Sequence, residues 1–174
     1  MRPSRSDYLD LPDVRLHIRR WGDPDAPTLF LLHGWMDVSA SYQFVVDALQ
    51  RDWNIVAPDW RGFGPSQWLH RPYYFAEHMG DMEAILDHYA PDGQVRLVGH
   101  SMGGILSCLY AGIRPERVAQ VVTLDGFGIA PTTPDMAAER YRQWLNQTRA
   151  VPKLHVYRDR SEEHTSELQT RLQI

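Results

Sequence analysis

Short runs of apolar residues, each bounded by turn-forming or charged residues, recur along the chain. They cover residues 28–32, 54–57, 95–98 and 118–124. The continuous apolar run at residues 28–32 is typical of a strand covered on both faces, and residues 54–57 are predicted to form the next buried strand. We also predict strands at residues 95–98 and 118–124. Residues 7–20 alternate only weakly between apolar and polar positions, and they predict an antiparallel hairpin that turns near Pro12.

Between these runs the apolar spacing becomes helical. Side chains recur at intervals of three and four positions in residues 39–50, 73–89 and 135–148, and a further helix is predicted after residue 101. Strands that alternate with helices form βαβ units. We therefore predict an α/β fold with a mostly parallel sheet flanked by helices.

Composition narrows the class of protein. The 174 residues, 43% hydrophobic and 23% charged, are typical of one soluble globular domain. The net charge is −4 and the arginines are scattered, so no nucleic-acid partner is expected. No apolar run approaches the ~20 residues of a membrane helix, and no signal peptide is visible. We expect a cytoplasmic protein without a membrane partner. The single cysteine, Cys108, excludes an intramolecular disulfide and is expected to be buried on its helix.

The chemistry is concentrated directly after the run at residues 95–98. Residues 99–103 read Gly-His-Ser-Met-Gly, which fits the pattern G-x-S-x-G at a strand-to-helix turn. In that setting the serine lies on a tight, strained bend, with its hydroxyl at the carboxyl edge of the sheet. Glycines are needed because a Cβ would collide with the neighbouring strand or helix. We predict that Ser101 is a catalytic nucleophile.

A reacting serine also needs hydrogen-bond donors for the oxyanion that develops on its substrate. One donor is the backbone N–H of Met102, the residue after the nucleophile. We predict the second at the backbone N–H of Trp35, because His33 and Gly34 follow an early buried strand and Gly34 allows a close approach. The alternative is that His33 and Gly34 form only a strand-ending turn.

In their order and spacing, these motifs resemble those of α/β-hydrolase-fold serine hydrolases. The matching segments are residues 31–35, 59–66 and 99–104, within a resemblance that spans about residues 8–128. One difference is Met36, near which many relatives have a proline. The resemblance implies an α/β-hydrolase fold, truncated before its last strands. It also implies a serine esterase that acts on a small-molecule ester or similar carbonyl substrate. We expect no cofactor and no metal.

The same fold leaves other functions open. A C–C bond hydrolase, a perhydrolase and a lyase are alternatives on this fold, and so is a non-catalytic protein that keeps the serine turn as scaffold. Fold alone does not decide among them.

Two aspartates are candidates for the carboxylate that orients the base. Asp125 ends the strand at residues 118–124, where some relatives have their acid, although most have it one strand later. The alternative is that Asp125 only fixes the following turn. Asp59 is interpreted as architectural, because in the family its loop is held by local hydrogen bonds from Asp59 and Arg61.

The resemblance implies a base histidine near the C-terminus, after the last strand, and none of the present histidines fits that place. The chain has one histidine on an early strand, two in backbone motifs, three around a helix expected at the surface, and two further along: His17; His33 and His100; His70, His78 and His88; His155 and His164. We therefore expect no ester turnover from the chain as written.

The end of the sequence differs in character from the rest. Residues 160–169 read as the translation of a common short-read sequencing adapter, so we expect residues 160–174 to be a non-native tail. We assign residues 1–128 to the N-terminal part of the hydrolase core and residues 129–159 to the start of a cap. Apolar residues in this cap, and Phe127 just before it, are expected either to line an acyl pocket or to pack the cap: Phe127, Met136, Tyr141, Trp144 and Leu145. Without a further strand, residues 118–124 would form an apolar edge prone to aggregation.

Overall fold

The structure is a computed structural model that describes residues 1–126 and 133–149. The chain divides into two units, Met1–Ile129 and Ala130–Ile174. In the second unit the described residues form a short 3-10 turn, Pro134–Met136, and helix α4, Ala137–Arg149. The predicted helix at residues 135–148 is therefore present. Phe127, His155, His164 and the expected tail at residues 160–174 lie outside the described residues.

The first unit is built on a six-stranded sheet with the strand order β1-β2-β4-β3-β5-β6. The strands are β1 Ser4–Asp10, β2 Arg15–Trp21, β3 Thr28–Leu32, β4 Asn54–Pro58, β5 Val95–His100 and β6 Val118–Leu124. The pairings β1–β2 and β2–β4 are antiparallel, whereas β4–β3, β3–β5 and β5–β6 are parallel. The apolar runs are thus the parallel strands, and the weakly alternating segment is the hairpin, as predicted.

Helices connect the parallel strands: α1 Gln43–Ala48, α2 Phe75–Tyr89 and α3 Met102–Ile113. The helix predicted at residues 39–50 is only partly α-helical, because it opens with a 3-10 turn, Ser39–Tyr42. Helix α2 starts later than predicted. The Glu77 carboxylate accepts a hydrogen bond from the Tyr74 N–H at 2.8 Å, which satisfies a free donor where the helix begins. No helix in the described part of the chain is long and apolar enough to cross a membrane.

Both faces of β3 and β4 are covered, which explains the apolar pattern of these two strands. On one face, side chains of β3, β5, α2 and α3 form a buried cluster that includes Phe30, Leu32, Leu97, Leu86 and Leu106. On the other face, side chains of β3, β4, α1 and its 3-10 turn form a second cluster that includes Leu31, Ile55, Tyr42 and Val46.

Strand β6 lies at one edge of the described sheet and pairs there with β5 alone. Val122 and Leu124 on this strand are each 42% exposed. Within the described residues, the apolar edge expected from the sequence is therefore present. Its expected effect on aggregation stays a prediction.

The structure corrects two expectations about single side chains. Cys108 is exposed rather than buried. The reason is that Leu106 and Tyr110, spaced four apart, form the buried side of α3, and Cys108 lies off that side. His78 is buried rather than at the surface, with 2% of its area exposed. Its ring packs on that of Trp60, with the centroids 5.9 Å apart.

Candidate active site

Ser101 joins β5 to α3 with backbone angles that few residues adopt. Its φ is +47° and its ψ is −114°. The Ser101 N–H donates to the Leu124 carbonyl at 2.9 Å, and the Ser101 carbonyl accepts from the Ile105 N–H at 3.0 Å. These bonds hold a conformation that costs on the order of 1–3 kcal/mol on its own. The half-buried serine is thus presented at the carboxyl end of β5, as the motif predicts.

The glycines of the motif allow α3 to pack directly on the sheet. A Cβ on Gly99 would overlap the backbone of Gly103, and a Cβ on Gly103 would overlap the Leu32 carbonyl. A Cβ on Gly104 would lie 2.9 Å from the Gly99 carbonyl oxygen. All these neighbours are backbone atoms, which cannot move aside as a flexible side chain would. The turn therefore depends on glycine at these positions.

Gly103→Ala is expected to destabilise the fold by about 3 kcal/mol, because the added Cβ must push β3 and α3 apart. The matched control is Gly112→Ala in the same helix, where a Cβ would meet nothing within 4 Å. Alanine there is expected to stabilise the helix by up to about 1 kcal/mol. Urea unfolding midpoints measure both changes. Similar midpoints for the two variants would contradict the close packing of α3 on β3.

The loop that follows β3 lies against the serine. A Cβ on Gly34 would be 3.1 Å from the Cβ of Ser101 and 2.9 Å from Nδ1 of His100. The next residue, Trp35, has a 59% exposed side chain. The structure therefore brings the loop that contains Trp35 to the turn that contains Met102. That the backbone N–H groups of Trp35 and Met102 form an oxyanion hole stays a prediction.

His33 holds this loop from inside the protein. Its ring is fully buried, and Nδ1 lies 2.7 Å from the Gly34 carbonyl oxygen. Nε2 accepts the Trp60 backbone N–H at 3.1 Å, so the ring proton is on Nδ1. Burial lowers the pKa of His33 and keeps it neutral. With both nitrogens engaged, His33 positions the loop and is not available as a base.

Asp59 has the contacts of a residue that fixes its loop. Its buried carboxylate accepts the Ser39 N–H at 2.6 Å and the Ser39 hydroxyl at 2.9 Å, and lies 2.6 Å from His17 Nδ1. The backbone turns tightly around it, because Gly64 at φ +49° would place a Cβ 2.8 Å from the Asp59 carboxyl carbon. These contacts match the architectural interpretation from the sequence.

Arg61 ties the same loop to α2. Its guanidinium makes a two-pronged contact with the Asp81 carboxylate at 2.7 and 2.6 Å and reaches Glu77 at 2.8 Å. The sequence predicted local hydrogen bonds from Arg61. The partners on α2 are 16 and 20 residues away and could not be named from the motif.

Asp125 follows β6 at φ +56°, with an exposed side chain. Leu124 pairs with His100 across the sheet, so Asp125 and Ser101 leave the same edge at neighbouring positions. The adjacent Gly126 is close-packed, since a Cβ there would be 2.8 Å from the Gly104 Cα. The structure places Asp125 at the correct edge for an acid, and that role stays a prediction.

No hydrogen bond joins the Ser101 hydroxyl to a histidine within residues 1–126 and 133–149. His17 and His33 are engaged with Asp59 and the loop backbone, and His78 packs on Trp60. The expectation that the base is missing from the chain stays a prediction. The described cap residues belong to the second unit, where their side chains are exposed: Met136, Tyr141, Trp144 and Leu145.

Acidification is expected to destabilise the fold through His78. Burial is the main cause that lowers its pKa below the ordinary 6.5, against an opposing effect of Asp81. The unfolded chain then binds a proton that the folded chain does not. Stability is therefore retained above pH ~6.5 and lost as the pH falls below it, by up to about 1.4 kcal/mol per pH unit.

The test compares the free energy of unfolding of the parent protein and of His78→Phe between pH 7.5 and 5. Phenylalanine keeps a ring on Trp60, and His78 Nδ1 has no hydrogen-bond partner to lose in the described structure. The free energy of unfolding of the variant is expected to fall less steeply at low pH than that of the parent. The loss that remains is due in part to His33. An unchanged slope would show that His78 is not the responsible group.

Comparison with known proteins gives the same fold. The family model for the alpha/beta hydrolase fold matches residues 27–174. A serine hydrolase-like protein of Danio rerio is 33% identical over 151 residues, covering 84% of this chain and 45% of its own. Lipase LipV of Mycobacterium tuberculosis is 32% identical over 112 residues, covering 64% of this chain and 42% of its own.

Among solved structures, a hypothetical protein from Pseudomonas aeruginosa PAO1 superposes with a TM-score of 0.75 at 28% identity. The match covers 88% of this chain and 55% of that protein. The chain thus spans about half the length of the relatives it matches. The family match, the six-stranded sheet and the serine turn agree, and the chain belongs to the α/β-hydrolase fold family.

Proposed function

We propose that the protein is a serine hydrolase that cleaves carboxylic esters or similar carbonyl substrates through an acyl-Ser101 intermediate. The observation that carries the proposal is the strained Ser101 turn. Backbone hydrogen bonds hold this turn, and Gly103, which has no Cβ, packs directly against β3. Strain of this kind is retained where the surrounding structure fixes it for a purpose. Its use here is to present a hydroxyl at the sheet edge.

In the proposed reaction, the Ser101 hydroxyl attacks the substrate carbonyl while a base histidine takes its proton. The developing oxyanion is stabilised by the backbone N–H groups of Trp35 and Met102. Each such donor contributes about 10²–10³ to the rate. The amino end of α3 adds partial positive charge at the same point. Asp125 is the proposed orienting acid, and the base is proposed to lie beyond the described residues.

The nucleophile type favours acyl chemistry. An aspartate at this position would favour attack on halides or epoxides, whereas a serine forms an ester that water then cleaves. The names of the matched relatives, a serine hydrolase-like protein and a lipase, support the same direction. No observation favours one particular ester.

A fluorophosphonate probe tests the proposal, with the adduct mapped by peptide mass spectrometry. This chain spans about half the length of its relatives, so the measurement uses a version of the protein that has been extended to their length. We expect one adduct at Ser101. The control is Ser107→Ala, which removes a buried serine of α3 whose hydroxyl donates to the Gly103 carbonyl, and should leave the adduct in place. An unmodified Ser101 peptide would refute the nucleophile assignment.

A further inference from the structure

A serine–histidine–aspartate arrangement joins the β1–β2 hairpin to the loop after β4, among residues the proposed hydrolysis does not use. The Ser6 hydroxyl oxygen is 2.8 Å from His17 Nε2. On the other side of the ring, His17 Nδ1 is 2.6 Å from the Asp59 carboxylate. A hydroxyl, an imidazole and a carboxylate hydrogen-bonded in this order form the arrangement that activates serine nucleophiles.

The surroundings fix which nitrogen of His17 has the proton. The Asp59 carboxylate also accepts two hydrogen bonds from Ser39, so it is held as an acceptor and Nδ1 must donate to it. The lone pair of Nε2 then faces the Ser6 hydroxyl. The ring cannot turn away, because His17 is 1% exposed and packs against the Tyr8 ring in a T-shaped contact. His17 is therefore preset as a base toward Ser6.

Ser6 differs from its two partners in being accessible. It is exposed on β1, whereas His17 and Asp59 are buried. Arg19 is its direct cross-strand neighbour, and the guanidinium donates to the Ser4 hydroxyl at 3.1 Å. Cross-strand neighbours have Cβ atoms about 4.5–5.5 Å apart, so the Arg19 side chain leaves β2 beside Ser6.

The hairpin also provides room for a bound group. Strand side chains alternate between faces, so Tyr8 lies on the same face of β1 as Ser6. Tyr8 is one wall of an open groove of about 620 Å³, lined by Tyr8, Asp10, Arg15, Pro65 and Gln67. A small acyl chain attached to Ser6 could lie along Tyr8 toward this groove.

We propose that Ser6 is a second acyl-accepting serine, one that is modified by activated acyl esters. The Ser6 oxygen attacks the carbonyl carbon, and the bond from that carbon to the leaving oxygen breaks. The Ser6 proton passes to His17 Nε2 and from there to the leaving alcohol or phenol. The products are an acyl ester of Ser6 and the free alcohol or phenol, and no oxidant or cofactor enters the balance.

The test uses p-nitrophenyl acetate with a Ser101→Ala protein, so that its result does not depend on the proposed function of Ser101. Cleavage before Asp7 gives a peptide that contains Ser4 and Ser6 and separates both from Tyr8. Ser4 is the internal control, because it is exposed on the same strand and contacts Arg19 but has no histidine partner. We expect Ser6 to be acetylated about 10²-fold faster than Ser4, the usual contribution of a positioned base.

His17→Gln should lower the Ser6 rate to that of Ser4, with folding checked by circular dichroism. A second pair of variants decides the question if His17→Gln fails to fold. In Ser6→Cys the thiol should be alkylated by iodoacetamide at least about tenfold faster than in Ser4→Cys, because His17 favours the thiolate. Equal acetylation of Ser4 and Ser6, or equal alkylation of the two thiols, would overturn the proposal. Ser6 would then be only a hydrogen-bond partner that holds the His17 ring in place.

Discussion

Ser101→Ala is expected to lower kcat for ester hydrolysis by about 10⁶-fold, the size of the loss when the nucleophile of a triad is removed. The remaining donors and the binding site cannot replace the covalent step. The measurement is turnover of a short-chain p-nitrophenyl ester by the protein extended to the length of its relatives. Alanine removes only the hydroxyl, so the free energy of unfolding should change little.

The matched control for this loss is Ser107→Ala, six residues further along the chain in α3. It should retain turnover within a few-fold, since its hydroxyl bonds only to the Gly103 carbonyl. Turnover by Ser101→Ala at more than a thousandth of the parent rate would assign the nucleophile elsewhere. A background rate from Ser6 is removed by measuring every variant with Ser6→Ala as well.

The second large effect is expected at Asp125. Asp125→Asn should reduce kcat by about 10³–10⁴-fold, because an amide cannot hold the base histidine in the tautomer that accepts the serine proton. The change is isosteric and the side chain is exposed, so the fold should be unaffected. Turnover of the same p-nitrophenyl ester measures the loss, again in the extended protein.

Asp92→Asn is the comparison for Asp125→Asn. Asp92 is also an exposed aspartate, in the turn between α2 and β5. Its replacement by asparagine should leave kcat unchanged. A loss below tenfold for Asp125→Asn would return the acid to a strand end later than β6. In that case Asp125 would only fix the turn after β6, where its φ is +56°.

Much of the core could be predicted from the sequence, because strand and helix signals are local. The runs rich in apolar residues predicted β3, β4, β5 and β6 within one or two residues of their observed bounds. The Ser101 turn could be predicted equally well, since Gly99 meets backbone atoms of Gly103 and Gly104 within the same motif. The contact of Gly103 with Leu32 of β3 is a tertiary one, which the motif alone does not show. The 3-10 turn before α1 could not be predicted from the sequence. Over four residues a 3-10 turn and an α-helix bury apolar side chains at the same spacing, so the pattern does not distinguish them.

The sequence by itself determined the order of strands and helices and the position of the serine, because spacing and turn chemistry act over a few residues. Only the tertiary structure decided which distant side chains meet. His17 faces Asp59 across 42 positions, and Ser6 reaches the same ring from a neighbouring strand. The burial of His78 and the exposure of Cys108 were decided in the same way. Each depends on how a helix rotates against the sheet, and packing between elements sets that rotation rather than the residues within either one.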